Sequence, residues 1–207
     1  MIQIPENLKK VCKDNTIKAL ATFDSIKEPS NMSFDEYQNF YQAKVFLQKF
    51  KMDGWLMCRQ IWEVVWGDLS KNIDIKDHDI TYLTTPDNCF DLANDEKDFS
   101  TFTVSYKINK KFDINLSIVL YWQNKKLGIF SSIDNQNCDD FAITQKTSEL
   151  IAVKNCDNDT YNDSQYTVSL NNLDTISDED IKQFRKFAQG IINYFNKHKQ
   201  EVLSNLK

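Results

Sequence analysis

Near residue 80 the spacing of apolar residues changes from three-and-four to two, and near residue 177 it changes back. A helix brings residues three and four apart onto one face, whereas a strand brings alternate residues there, so the two spacings require two kinds of element. This order predicts an α+β fold: N-terminal helices over 1–73, an antiparallel sheet of five or six strands over 80–171, and a C-terminal helix over 177–207 packed on the sheet. In 207 residues, 41% apolar composition is enough for one sizeable core, and a single domain is expected.

Pro5 suits the first turn of a helix, where its missing N–H would be unpaired in any case, and Leu8, Val11 and Cys12 follow at helical spacing. A stretch from Ile17 to Phe23 continues it, and Pro29-Ser30-Asn31 ends the pattern. Ser33 stands three residues before Glu36, the reciprocal capping arrangement, and predicts a helix from Phe34 to about Phe50. Along it Phe34, Tyr37, Tyr41, Val45, Phe46 and Phe50 form an aromatic stripe. Asp53-Gly54 reads as punctuation. Trp55, Cys58, Trp62, Val65, Trp66 and Leu69 then resume the helical period, with a strand as the competing reading. Trp55, Trp62 and Trp66, at steps of seven and four, share one face, and packing against the sheet is favoured over an exposed docking ridge.

Ile80 to Thr84 reads as a short strand and Pro86 to Asp98 as a polar loop. Phe102, Val104, Tyr106 and Ile108 alternate along the next strand, which turns at Asn109-Lys110-Lys111. Ile114 to Trp122 alternates most regularly, and the short connection through Asn124-Lys125-Lys126 to Leu127–Phe130 predicts an antiparallel hairpin. Phe141 to Lys146, Leu150 to Lys154, and Tyr166 to Leu170 supply further strands. Such short connections leave no room for crossover helices, so a meander is expected. Ser177 caps the closing helix, acids follow it at 178–180, and Lys197, Lys199 and Lys207 lie toward the other end, each complementing the helix dipole. Its stripe is Ile181, Phe184, Ala188, Ile191, Phe195, Val202 and Leu206.

The 4 glycines are too few for a glycine-cradled phosphate site, and 25 bases against 30 acids give a net charge of −5, the wrong sign for a general nucleic-acid binder. Arg59 and Arg185 are the two arginines, so bidentate anion recognition is not the main business. Cys12, Cys58, Cys89, Cys138 and Cys156 are 18 to 49 positions apart, which fits neither a zinc ribbon nor a disulfide lattice and suits reduced thiols. The start of the chain has no charged-then-apolar leader and no apolar run approaches a membrane span, so a cytoplasmic chain without an anchor is expected. Charge is uneven: net −6 over 74–100, +4 over 101–133, −9 over 134–180 and +5 over 181–207.

Catalytic and metal-binding patterns are weak. Asp87 with Gln123 and Lys125 matches a metal-dependent nuclease or hydrolase in outline, but one carboxylate and one amide make a poor cage for Mg²⁺. Asp157, Asp159 and Asp163 occupy the first, third and seventh places of a calcium loop whose sixth and twelfth, Asn162 and Val168, break the pattern, which leaves a solvated acidic turn. Asp74, Asp77, His78 and Asp79 read as a hydrated connection. His198 near the end of the last helix answers to the dipole, and Cys58 within an apolar stretch is inert. No cofactor is implied. The expectation is a protein that binds another protein, as an inhibitor, immunity factor, chaperone or assembly subunit does. Its charged surface would include Lys110, Lys111, Lys125, Lys126, Asp157, Asp159 and Asp163.

Overall fold

Two capping boxes set the two long helices. Glu36 N–H donates to Ser33 Oγ at 3.4 Å and Ser33 N–H returns a bond to the Glu36 carboxylate at 2.8 Å, which starts helix α3, Phe34–Val65. Those Ser33 donors also hold the Glu36 carboxyl below its ordinary range. Ser177 and Asp180 exchange the same pair of bonds, both at 3.1 Å, ahead of helix α4, Asp178–Ser204. The computed structural model describes residues 1–14, 17–74, 79–86, 88, 90–91, 99–109, 112–121, 126–135, 146–147, 150–151, 153–155, 160–169 and 174–204.

The chain opens with strand β1 (Ile2–Gln3), then helices α1 (Glu6–Asp14) and α2 (Ile17–Ser25). Pro5 stands just ahead of α1, its carbonyl accepting from Leu8 and Lys9 N–H. After α3 come β2 (Asp79–Tyr82), β3 (Phe90–Asp91), β4 (Phe99–Asn109), β5 (Phe112–Tyr121) and β6 (Lys126–Asn135). Then follow β7 (Lys146–Thr147), β8 (Leu150–Ile151), β9 (Val153–Asn155), β10 (Thr160–Ser169) and β11 (Thr175–Ile176), before α4. The α+β architecture and the antiparallel sheet expected from the sequence are both present.

Among the described residues the main sheet has seven strands in the order β2-β4-β5-β6-β10-β9, with β3 also on β4, and every pairing is antiparallel. The extra strand, β3, lies inside the expected polar loop, where two residues are too few to show an alternation. The meander holds from β4 to β6 and then breaks: β10 returns between β6 and β9. β5 and β6 form the expected hairpin, from Tyr121↔Lys126 to Phe112↔Asn135. Trp122, Asn124 and, of the strand expected from Phe141 to Lys146, residues 141–145 lie outside the described residues, while Lys146 opens β7. β1 pairs with β11 in a separate two-stranded sheet that ties the start of the chain to the start of α4.

One face of the sheet is apolar. Phe102, Val104 and Tyr106 of β4 stand beside Ile118, Leu116 and Ile114 of β5, all buried. The other face carries Thr101, Thr103 and Ser117, with 2.9 Å between the Thr103 and Ser117 hydroxyls. α3 packs over β4 and β5, and α4 over β6 and β10, with the two helices also in contact. The expected α4 stripe is buried from Ile181 through Phe195, joined by Phe187 and Ile192.

α3 departs from expectation at Asp53-Gly54, which does not interrupt it: 32 helical residues run without a break. A mid-helix glycine costs about 1 kcal/mol relative to alanine. Burial of Phe50, Met57, Cys58 and Ile61 around it outweighs that loss. The helix does end before Gly67, where a Cβ would lie 2.5 Å from the Glu63 carbonyl oxygen.

Arg185 joins the two long helices. Its guanidinium grips the Asp68 carboxylate at 2.9 and 2.8 Å and also donates to the Val64 carbonyl. The guanidinium brings Asp68 down from 3.8 to about 2. A carboxyl that is more acidic when folded stabilises the fold above its unfolded pKa, and that contribution disappears as pH falls through about 2. Because Asp68 is largely exposed, solvent screening keeps the effect small. Wild type is therefore expected to show a modestly higher urea midpoint than Asp68→Asn at pH 7, with the gap narrowing toward pH 2. Equal midpoints at pH 7 would show that the bridge adds nothing.

Candidate functional site

α3 is apolar on two opposite faces, and the sheet covers one of them. Its buried residues begin at Leu47 and run through Phe50, Met57, Cys58, Ile61, Trp62 and Val65. Trp66, next in the chain, is fully buried and Trp62 nearly so. The Trp62 indole N–H donates to the Leu116 carbonyl at 2.9 Å and that of Trp66 to the Ser117 carbonyl at 3.4 Å. Trp55 is partly buried, its indole N–H donating to the Thr84 carbonyl at 3.1 Å. The tryptophan row belongs to the core, the use favoured from the sequence.

The opposite face is exposed. Phe34 is 79% accessible, Tyr41 60%, Tyr37 47%, Leu56 47%, Val45 46% and Met52 41%. At 3.6 residues per turn these six, with Gln48, fall within about 100° of arc over about 33 Å of helix. Phe50, read from its spacing as part of the same stripe, lies about 160° from Phe34 and belongs to the buried face instead. The helix, about 48 Å long, outreaches the roughly 35 Å strands beneath it. Its first 13 residues accordingly include none that is buried.

What supports that projecting half is α2. Lys44 Nζ donates to the Phe23 and Ile26 carbonyls at 3.3 and 3.2 Å, satisfying the C-terminal end of α2. The same ammonium lies 4.9 Å from the Phe23 ring centre and 5.5 Å from that of Phe40, and the two rings are 5.3 Å apart. Lys51 pairs with Asp24 at 2.6 Å. Between α3 and the segment that follows α2 lies a groove of about 280 Å³ lined by Ile26, Glu28, Tyr37, Phe40, Tyr41 and Lys44. It is open to solvent and at the lower limit for a small-molecule site, so it suits an inserted side chain better than an enclosed ligand. Beyond Leu56 the line continues to Arg59, which pairs with Glu63 at 3.0 Å and stacks 5.4 Å from the Trp55 ring centre.

The candidate site and partner-binding residues singled out from the sequence are not part of α3. Asp87, Gln123 and Lys125 are outside the described residues, as are Lys110, Lys111, Asp157 and Asp159. Lys126 is exposed at the first position of β6, paired with Tyr121 and Ser169. Asp163 is within β10 opposite Ser132, six positions along β6 from Lys126 and so about 20 Å away. The acidic turn expected through Asp163 is corrected accordingly: from Thr160 onward the chain is strand, held on both sides by β6 and β9. Asp77 and His78 are outside the described residues. Asp79 opens β2, and the Asp74 N–H donates to Asn196 on α4 at 2.9 Å. Both arginines are paired within the chain, with Glu63 and Asp68. Among the described residues, no three His, Cys, Asp or Glu side chains gather where an ion could sit. No described helix is long and apolar enough to cross a membrane.

Fold and surface together define an α+β protein whose longest helix offers an apolar face to solvent. Comparison with protein-family models, curated proteins and solved structures returns no match. Spacing by three and four revealed the stripe, but the same spacing describes the buried row. Phe50, Met57 and Ile61 differ from the stripe by about half a turn in phase, which was the available signal, whereas Trp55 and Trp62 fall beside Tyr37.

Proposed function

We propose that this chain is a protein-binding module, of the class that includes inhibitors, immunity factors, chaperones and assembly subunits, and that the outward face of α3 is its contact surface. The observation that carries this reading is a line of six large apolar side chains, 41–79% exposed, on a helix whose other face is sealed into the core. Contiguous apolar surface beyond a few hundred Å² marks an interaction site on most monomeric proteins. Supporting these side chains on a capped helix braced by α2 also limits the ordering entropy that binding must overcome. The alternation of acidic and basic segments supports electrostatic steering of the partner's approach. The cysteine spacing supports a reducing, cytoplasmic setting.

A photo-crosslinking phenylalanine analogue at Tyr41 is expected to form protein adducts that unlabelled wild-type chain competes away and Val45→Glu chain does not. The same group at Lys182, exposed on α4, is expected to form none. Equal labelling at both positions, or no adduct at Tyr37, Tyr41 and Met52, would overturn the reading.

A further inference from the structure

Resting on that reading, we infer that the partner covering the outward face of α3 is a second copy of this chain, its α3 packed antiparallel against the first about a twofold axis at Val45. Phe34, Val45 and Leu56 recur at eleven residues, a period close to three full helical turns, so the stripe runs nearly straight along the helix. Tyr37, Tyr41, Gln48 and Met52 fill the places between. Bulk is graded along this line, with three aromatics in the first half and Gln48, Met52 and Leu56 in the second.

Parallel pairing would set Phe34, Tyr37 and Tyr41 against themselves at one end and thin layers at the other, splaying the helices. Antiparallel pairing sets Phe34 against Leu56, Tyr37 against Met52, Tyr41 against Gln48 and Val45 against itself. The outer three layers then have similar volume, with the smaller Val45 pair at the centre, so the helices need not splay from their usual separation of roughly 8–10 Å.

Area agrees with this arrangement. No charged side chain occupies the stripe from Phe34 to Leu56 itself, and Lys44 and Lys49 flank it on its two sides. The six apolar side chains present roughly 700 Å² per copy, close to the ~800 Å² per partner of a standard interface. A lipid surface fits poorly, because Asp35 and Glu36 in the first turn oppose anionic headgroups.

Val45 is the position that meets itself, and this makes the geometry testable. Facing Cα atoms sit about 2.3 Å from each axis, so on helices roughly 9–10 Å apart they come within the roughly 4.4–6.8 Å that a disulfide spans. Under mild oxidation, with wild type as the control for native cysteines, Val45→Cys is expected to give a covalent dimer. Phe34→Cys and Leu56→Cys are expected to cross-link when mixed but not singly. Wild type should have twice the 24.3 kDa chain mass by light scattering. Val45→Glu should raise the dimer dissociation constant on the order of 100-fold, and a mixture of Val45→Glu and Val45→Lys chains should restore the dimer. A 24.3 kDa mass at every attainable concentration, with no Val45→Cys cross-link, would overturn self-pairing. Self-linking of Phe34→Cys would overturn the antiparallel direction. If the chain is monomeric while Tyr41 still labels a different protein, self-pairing falls and the docking reading stands. If Tyr41 labels nothing, both fall.

Discussion

Replacing Trp62 by alanine is expected to lower the unfolding free energy by about 3–5 kcal/mol, a large part of the ~5–15 kcal/mol that holds a typical domain together. The ring is buried between α3 and the sheet, 6.0 Å from the Phe102 ring centre, and its N–H is bonded to the Leu116 carbonyl. Truncation removes the buried area, leaves a cavity that the helix cannot collapse into while Ile61, Val65 and Trp66 hold it, and deletes the hydrogen bond. Trp62→Phe keeps most of the volume and loses the bond, so a smaller decrease of about 1–2 kcal/mol is expected. Urea unfolding followed by far-ultraviolet circular dichroism measures both, and the alanine variant's midpoint should drop by about 1–3 M. Tyr41→Ser, on the same helix but 60% exposed, serves as the contrast and should stay within about 0.5 kcal/mol of wild type at low protein concentration. A Trp62→Ala loss no larger than that of Tyr41→Ser would mean that the sealed face of α3 has been misassigned.

Phe102→Ala should be as damaging, again about 3–5 kcal/mol, for a different reason. Phe102 is 1% exposed and its ring is shared: Trp55 at 5.7 Å and Trp62 at 6.0 Å approach edge-on from α3, and Tyr82 at 6.1 Å approaches from the edge strand β2. One side chain thus connects the helix, the sheet centre and the sheet edge. Its loss should be non-additive with that of Trp62. In a double-mutant cycle the pair is expected to show a coupling of about 0.5–1.5 kcal/mol, whereas strictly additive losses would deny the ring contact any energetic role of its own.

How much of this was legible beforehand follows from how burial writes itself into spacing. Strand β5 buries Ile114, Leu116, Ile118 and Leu120 on one face, so its alternation predicted the strand, and the short connection to Leu127 predicted its hairpin. Ser33 and Glu36 are three residues apart in sequence and in space, so the start of α3 was readable too. β3 was not, because a two-residue strand exists only through its pairing with β4. Nor was the return of β10 between β6 and β9, since strand order is a long-range choice that period-two spacing leaves open. Asp53-Gly54 misled because its local preference for a turn is worth about 1 kcal/mol, less than the burial on either side of it.

The surface stripe is the sharpest case. In the sequence, Phe34, Tyr37, Tyr41 and Val45 resemble a core face as closely as Trp62 and Trp66 do, since helical spacing records only that apolar residues share a side. The chain by itself indicated helical spacing on both sides of Asp53-Gly54, with an aromatic stripe before it and a tryptophan row after it. Only tertiary structure decided which side is sealed, because β4 and β5 pack against one side of α3, whose residues enter the core from Phe50 onward. The aromatics left in water are those that a helix longer than its sheet carries past the edge and away from the core.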